Sequence, residues 1–274
     1  MNLKAVYLLL ITVSLFWTAC STYNYAPLAN ENPMFTEKGQ LSVQGGANIR
    51  FYQGQLAYSP SKYFGLIYGF NKVIPSTGKG FSHGLTLQHF GQFNRHSSLF
   101  YSMSLGYGYG NLDNHFQRKG RGEFYYGRYL EQSSSRYTNT SLACGLYWKL
   151  KEHNTQMGLQ LDLNSIHYSH LRFSRTELDA DPLGVEYDYS AGPGKKVCQV
   201  TSLVFSIRSS GKKGLFYFKE SIGFRYDSDT QFTLYGADGT THSSLYHLDI
   251  PYMVLNVQVG MNLSTLGRRF KKRD

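Results

Sequence analysis

The sequence predicts an all-β fold: an antiparallel, up-and-down transmembrane-type β-barrel of about ten strands. Three features point there: period-two alternation, polar strand faces nearly free of charge, and connections that alternate between short and long. Alternation is clearest at 99–110. Leu99, Tyr101, Met103, Leu105, Tyr107 and Tyr109 take one parity; Ser102, Ser104, Gly106, Gly108 and Gly110 take the other. Residues 156–164 set Met157, Leu159, Leu161 and Leu163 against Gln156, Gly158, Gln160, Asp162 and Asn164. Near the C-terminus Met253, Leu255, Val257, Val259 and Met261 alternate with Asn256, Gln258, Gly260 and Asn262. Successive side chains on a strand point to opposite faces, so this period means strands with one apolar face.

In chain order, 1–19 reads as a lipoprotein signal peptide. Lys4 gives a positive start, and the apolar run Ala5–Trp17 is shorter than the roughly 20 residues a membrane-spanning helix needs. Thr18, Ala19 and Cys20 then resemble the lipobox of bacterial lipoproteins, although Trp17 stands where that motif usually has Leu, Val or Ile. The resemblance implies cleavage between Ala19 and Cys20 and a diacylglyceryl group on the Cys20 thiol. An ordinary signal peptide that contains a cysteine is the alternative. Residues 20–38, with two prolines and no sustained period, read as a lipidated, extended tether. Residues 39–266 form the barrel and 267–274 a basic C-terminal tail.

Within the barrel the strands are expected at roughly 40–51, 53–59, 63–73, 82–93, 98–111, 138–151, 155–169, 197–208, 214–228 and 246–264. The connections 59–62, 94–97, 151–154 and 209–214 are short; 112–137, 170–196 and 229–245 are long, and 73–80 is intermediate. Short periplasmic turns and long outer loops are the pattern of outer-membrane barrels. The connection near Tyr52 departs from it, being short where an outer loop is due.

A lipid-anchored periplasmic barrel or β-sandwich would alternate as well, and is the second reading. A water-facing sheet surface, however, is normally dotted with Lys, Glu, Arg and Asp. Segments 82–93, 98–110 and 253–264 carry none of these. Small uncharged polar groups suit a narrow lumen in which side chains hydrogen-bond one another. Two residues resist the scheme. Glu220 shares its parity with Phe216, Phe218, Ile222 and Phe224, and His89 with Leu85, Leu87 and Phe93, so both would face lipid unless a bulge shifts the register.

The net charge of +10, or +9 without Lys4, suits outer-membrane lipids or lipopolysaccharide as partners. Nucleic acid is not expected, because the basic residues are scattered through loops and the chain carries an export signal. With 23 Tyr and 18 Phe against two Trp, Tyr is the abundant ring available for membrane interfaces. After Cys20 only Cys144 and Cys198 remain, both inside expected strands. No disulfide framework, zinc ribbon or cofactor is implied.

Ten strands enclose an interior largely filled by side chains, so a general porin is not expected. The reading is a non-enzymatic envelope protein with a binding or assembly role, for which an envelope protein is a candidate partner. Tyr125, Tyr126, Arg128 and Tyr129 in the longest connection are candidate contacts, since Tyr and Arg are favoured in interfaces. Another class is a lipid hydrolase. His167 and Ser169, two apart on one strand face, resemble the H-x-S arrangement of lipid A deacylases, where His acts as base for Ser. Those enzymes follow Ser with Asn, where His170 stands here, and no orienting carboxylate can be named. The acidic group Glu177, Asp179, Asp181, Glu186 and Asp188 lacks EF-hand spacing and reads as a solvated loop.

The run from Cys20 to Leu66 resembles the start of uncharacterised outer-membrane β-barrel lipoproteins of Bacteroidota-type bacteria. The likeness is carried by NPMFTEKG (32–39) and QLAYSP (55–60), and beyond the first quarter of the chain it is one of style. It implies outer-membrane placement and no assigned activity. Ser21-Thr22-Tyr23 lacks the acidic cluster such lipoproteins use to reach the cell exterior. That implies an anchor at Cys20 in the inner leaflet, with the N-terminus on the periplasmic side. Barrels of this kind end on an aromatic residue, whereas this chain runs on through LGRRFKKRD, where Phe270 could serve.

Overall fold

A computed structural model describes residues 32–47, 51–74, 78–94, 97–122, 125–150, 155–177, 187–190, 196–210, 215–227, 234–236, 241–242 and 253–264. The strands are β1 (Leu41–Ala47), β2 (Phe51–Tyr58), β3 (Phe64–Val73), β4 (Gly78–Gln92), β5 (Leu99–Gly122), β6 (Tyr125–Leu150) and β7 (Thr155–Glu177). They continue as β8 (Tyr187–Ser190), β9 (Lys196–Ser210), β10 (Phe216–Asp227), β11 (Leu234–Gly236), β12 (Thr241–His242) and β13 (Met253–Asn262). β1 to β7 pair consecutively and antiparallel. β7 then pairs with β9, β9 with β10, β10 with β13, and β13 with β1, which closes a barrel of ten strands. Closure satisfies every strand edge inside the wall, a requirement in lipid.

The wall has two unlike faces. Leu85, Leu105 and Val259 point outward and are 57%, 58% and 59% exposed, while the lumen-facing Gln55, Thr86 and Gln88 are at 3%, 1% and 1%. A sandwich would bury its leucines between sheets. Here they lie on the outside, so the sandwich alternative is overturned. Aromatic rings bound the apolar belt in two layers. Near the short-turn end His89 lies against Tyr63, Phe64 and Tyr101, with centroids 5.2–6.3 Å apart, and Phe93 meets Tyr101 edge-on. Near the other end His83 lies among Tyr68, Phe81 and Tyr109. Tyr101 and Tyr109 stand on one strand. At a rise of about 3.3 Å per residue and a tilt of about 40°, the layers are roughly 20 Å apart. His89 therefore sits within a cluster of aromatic rings rather than alone on the apolar face.

Strand lengths diverge sharply around the barrel. β1 to β3 have 7, 8 and 10 residues, whereas β5, β6 and β7 have 24, 26 and 23. About ten residues suffice to cross a membrane. The expected loop at 112–137 is therefore corrected: it is an unbroken β5–β6 ladder registered from Leu99↔Trp148 to Gly122↔Tyr125. Apolar alternation stops near Leu112, so the pattern that marks strands is lost there while backbone pairing continues. Within the expected connections 170–196 and 229–245, β7 runs on to Glu177 and the short β8, β11 and β12 extend the projecting sheet. The first connection lies at 48–50, and Tyr52 belongs to β2.

No bulge rescues Glu220. It is registered opposite Val257 and Ile207 in unbroken ladders. Its carboxylate is nevertheless buried, and Oε2 has no hydrogen-bond partner among the described residues. Cys144 is a free thiol exposed on the outer face.

The lumen is filled in layers. At the outer end the wall closes on itself through Phe51, Val73, Leu112, Tyr137, Ile166 and Val200. Tyr137 lies flat over Gly110, where an added Cβ would come within 2.1 Å of its ring. Below this cap comes a polar layer that includes Gln53, Gln55, Asn71, Thr86 and Gln258, all buried. The short-turn end is closed differently, by chain from outside the wall.

Candidate functional site

The segment before β1 enters the barrel from the short-turn end. Asn32, Met34 and Phe35 are 6%, 1% and 2% exposed, so this part of the expected tether (20–38) is instead an internal stopper. Residues 20–31 lie outside the described residues. A wall of ten strands leaves more room than its own side chains fill, and the stopper occupies that room. Each stopper residue has a seat. Phe35 rests over Gly65, where a Cβ would fall 2.3 Å from its ring, and packs on Phe90 at 5.3 Å. Met34 rests over Gly158, where a Cβ would fall 2.8 Å from its methyl carbon. Burying these two side chains stabilises the docked state by about 1.5–3 kcal/mol each.

Polar groups fix the register. The Asn32 side chain donates to Ser102 Oγ (2.8 Å) and accepts from the Met34 N–H (2.8 Å) and from Gln88 Nε2 (3.2 Å). Tyr147 donates its hydroxyl to the Phe35 carbonyl. The following turn is clamped to the β2–β3 turn: Gly39 N donates to Ser59 O (2.7 Å) and Ser59 Oγ donates to Glu37 O (2.8 Å). Gly39 has φ +77°, which suits a residue with no Cβ. The two short runs that carry the family resemblance, 32–39 and 55–60, thus meet at the barrel floor. One residue is strained: Met34 has φ 55°, which costs a side-chain-bearing residue on the order of 1 kcal/mol.

Behind the stopper stand two buried cations. Arg208 Nη1 donates to Pro33 O at 2.7 Å and Lys219 Nζ to Asn32 O at 3.2 Å. Their residues are registered directly opposite each other on β9 and β10. The Arg208 guanidinium also stacks on the Tyr217 ring, 3.7 Å from its centroid, and Tyr217 donates to Gln44 Oε1 (3.0 Å). Sequence reading missed Arg208, Lys219 and the stopper. Two hints were present: an adjacent Met-Phe pair in a stretch read as an extended tether, and two cations on the parity of Ser206 and Ser221.

The expected site residues fare as follows. Ala19 and Cys20 lie outside the described residues. Tyr125, Tyr126, Arg128 and Tyr129 are strand residues of the projecting β5–β6 hairpin, registered opposite Gly122, Arg121, Lys119 and Arg118. Alternation gives Tyr125 and Tyr129 one parity and Tyr126 and Arg128 the other. His167 and Ser169 are exposed, but a bulge intervenes: Tyr168 pairs with Tyr137 and His170 with Arg136, leaving Ser169 as the extra residue. The Ser169 hydroxyl donates to Arg136 O (3.2 Å), and His167 Nε2 lies 3.4 Å from Ser165 Oγ. The structure does not join them as a base and nucleophile. No cluster of three potential metal ligands occurs among the described residues.

No family model matches the chain, and no curated protein matches it. Among solved structures it is similar to OmpT, an outer membrane protein of Vibrio cholerae, at 7% identity over 81% of this chain and 95% of that one. The TM-score is 0.18, too low for the likeness to carry an argument.

Proposed function

We propose that the chain is an outer-membrane β-barrel lipoprotein, anchored through Cys20 at the periplasmic face, with a non-enzymatic binding or assembly role in the envelope. The observation that carries this reading is the outer wall: an apolar belt bounded by two aromatic layers roughly 20 Å apart, around a lumen filled from end to end. A filled lumen suits a scaffold rather than a diffusion pore. The short turns, the stopper before β1 and the last residues of β13 lie at one end, which matches a periplasmic floor, so the tall β5–β7 sheet would project outward. Its Arg- and Lys-bearing register positions suit anionic lipid headgroups or an acidic envelope partner.

The test is fractionation of whole cells with gel mobility before and after boiling. The protein is expected in the outer-membrane fraction, released by detergent alone, with a heat-dependent shift. Cys20→Ser should abolish lipid labelling and leave the barrel in the membrane. Release of Cys20→Ser as a soluble protein would refute membrane spanning.

A further inference from the structure

We propose that Arg136, His170 and Arg172 form a docking site for the phosphate monoester of an outer-leaflet glycolipid, on the wall just beyond the outer aromatic layer. The lipid source rests on the membrane placement proposed above; the cation cluster itself does not.

The bulge in β7 makes the cluster. Below Ser169 the odd-numbered residues of β7 carry the outer face, as the exposed Leu161 and Leu163 show. Above it the register with β6 moves by one, from Tyr137↔Tyr168 to Arg136↔His170, and the even-numbered residues take that face over. A one-residue slip exchanges the two faces of everything that follows. Leu171 is thereby buried in the outer cap, while His170 and Arg172 are exposed on the outside. Without the extra residue Leu171 and Arg172 would trade places. The Ser169 hydroxyl bonds to Arg136 O, which ties the bulge to the strand that supplies the second guanidinium.

Arg136 is registered opposite His170, and Arg172 opposite Ser134. The two arginines are therefore diagonal neighbours on adjacent strands, about 7–8 Å apart and within reach of long side chains. The Ser134 hydroxyl lies 3.1 Å from His170 Nε2 and adds a polar edge. Asp113, exposed and registered on the other side of Ser134, is the nearest carboxylate on this face. Neither arginine is in an ion pair with it or with any other described residue.

The sheet above sorts its charges in the same way. On the register face shared with Arg136 and Arg172, the described parts of β5–β7 beyond the belt place Lys119, Arg121 and Arg128, with Asp113 as the single acidic position. On the opposite face Arg118 and Arg175 stand with Glu131 and Glu177, so the signs balance, and Glu131 is registered against Arg175. Net positive charge is confined to the side that continues the apolar wall.

Height and charge select the ligand. Tyr109 of the outer aromatic layer is registered opposite Thr138, and Arg136 is the next residue of that parity on β6. At about 3.3 Å per residue and a tilt of about 40°, Arg136 stands roughly 5 Å beyond the rings, where lipid headgroups begin. A phosphate monoester carries a charge of about −1.5 to −2 near neutral pH and three accepting oxygens, enough to engage both guanidiniums and the imidazole together. A carboxylate brings one charge and two oxygens.

The test uses the full-length protein in detergent, with fluorescently labelled monophosphoryl lipid A as probe. Arg136→Gln with Arg172→Gln should weaken binding about thirtyfold. Arg118→Gln with Arg175→Gln removes the same charge from the other face and should change binding by about twofold or less. Asp113→Asn should tighten it about threefold. Enzymatically dephosphorylated lipid A should not compete, nor should inorganic phosphate at the same concentration. Equal losses from the two arginine pairs overturn the site. Competition by the dephosphorylated lipid overturns phosphate as the ligand, and competition by inorganic phosphate overturns the lipid source. Should the Arg136 and Arg172 variant lose its heat-shifted mobility, Asp113→Asn decides, and unchanged affinity there overturns the proposal. Failed binding by a chain that fractionates with the outer membrane strikes the site alone; a chain released as soluble protein strikes the membrane reading alone.

Discussion

The two ends of the lumen are closed by different means. At the outer end the plug is the wall itself: Leu112, Tyr137, Ile166 and Val200 are strand residues fixed by ladders on both sides. At the floor it is Met34 and Phe35, carried by a segment that pairs with no strand and is held by seats and side-chain hydrogen bonds. The outer cap cannot leave without unzipping the barrel, whereas the floor segment is bonded to the wall through side chains and belongs to no ladder.

Substitutions should separate the ends in the same order. Tyr137→Ala removes the ring seated over Gly110 and should cost about 4 kcal/mol, lowering the temperature of the gel shift most. Leu105→Arg tests the wall between the ends. It should cost about 3 kcal/mol in a bilayer, read from urea unfolding in vesicles, and much less in detergent, where the charge can reach water. Met34→Ala should cost about 2 kcal/mol of stopper docking. Its signature is faster proteolysis before Leu41 with the barrel's heat shift kept, and loss of both together would show that the floor is as integral as the cap. Ser169→Ala, at an exposed bulge, should change stability by less than about 0.5 kcal/mol and leave lipid A acylation in whole cells unchanged. Altered acylation would revive the hydrolase reading.

Much of the wall was legible because it is a local property. Leu99 to Tyr109 alternates with serine and glycine, and the structure sends these two sets outward and inward as expected. Boundaries were legible only where the apolar face itself ends. At β5 and β6 the ladder outruns the apolar pattern, so a strand was read as a loop. At Glu220 parity pointed to the apolar outer face, yet the carboxylate is buried in an unbroken ladder with no bulge. His167 and Ser169 were read as sharing one strand face, but Ser169 is the extra residue of a bulge that arises from pairing with β6 and gives its hydroxyl to Arg136 O.

Ten antiparallel strands, a greasy outer face and a polar lining follow from neighbours two residues apart, since a strand turns alternate side chains to opposite sides wherever it is placed. What fills the lining does not follow from such neighbours. The contacts of Arg208 with Pro33 and of Lys219 with Asn32 span 175 and 187 residues, and they exist because closure brings the first and last strands around the same axis. Periodicity records which way a side chain points; it holds no record of what it meets across a closed lumen.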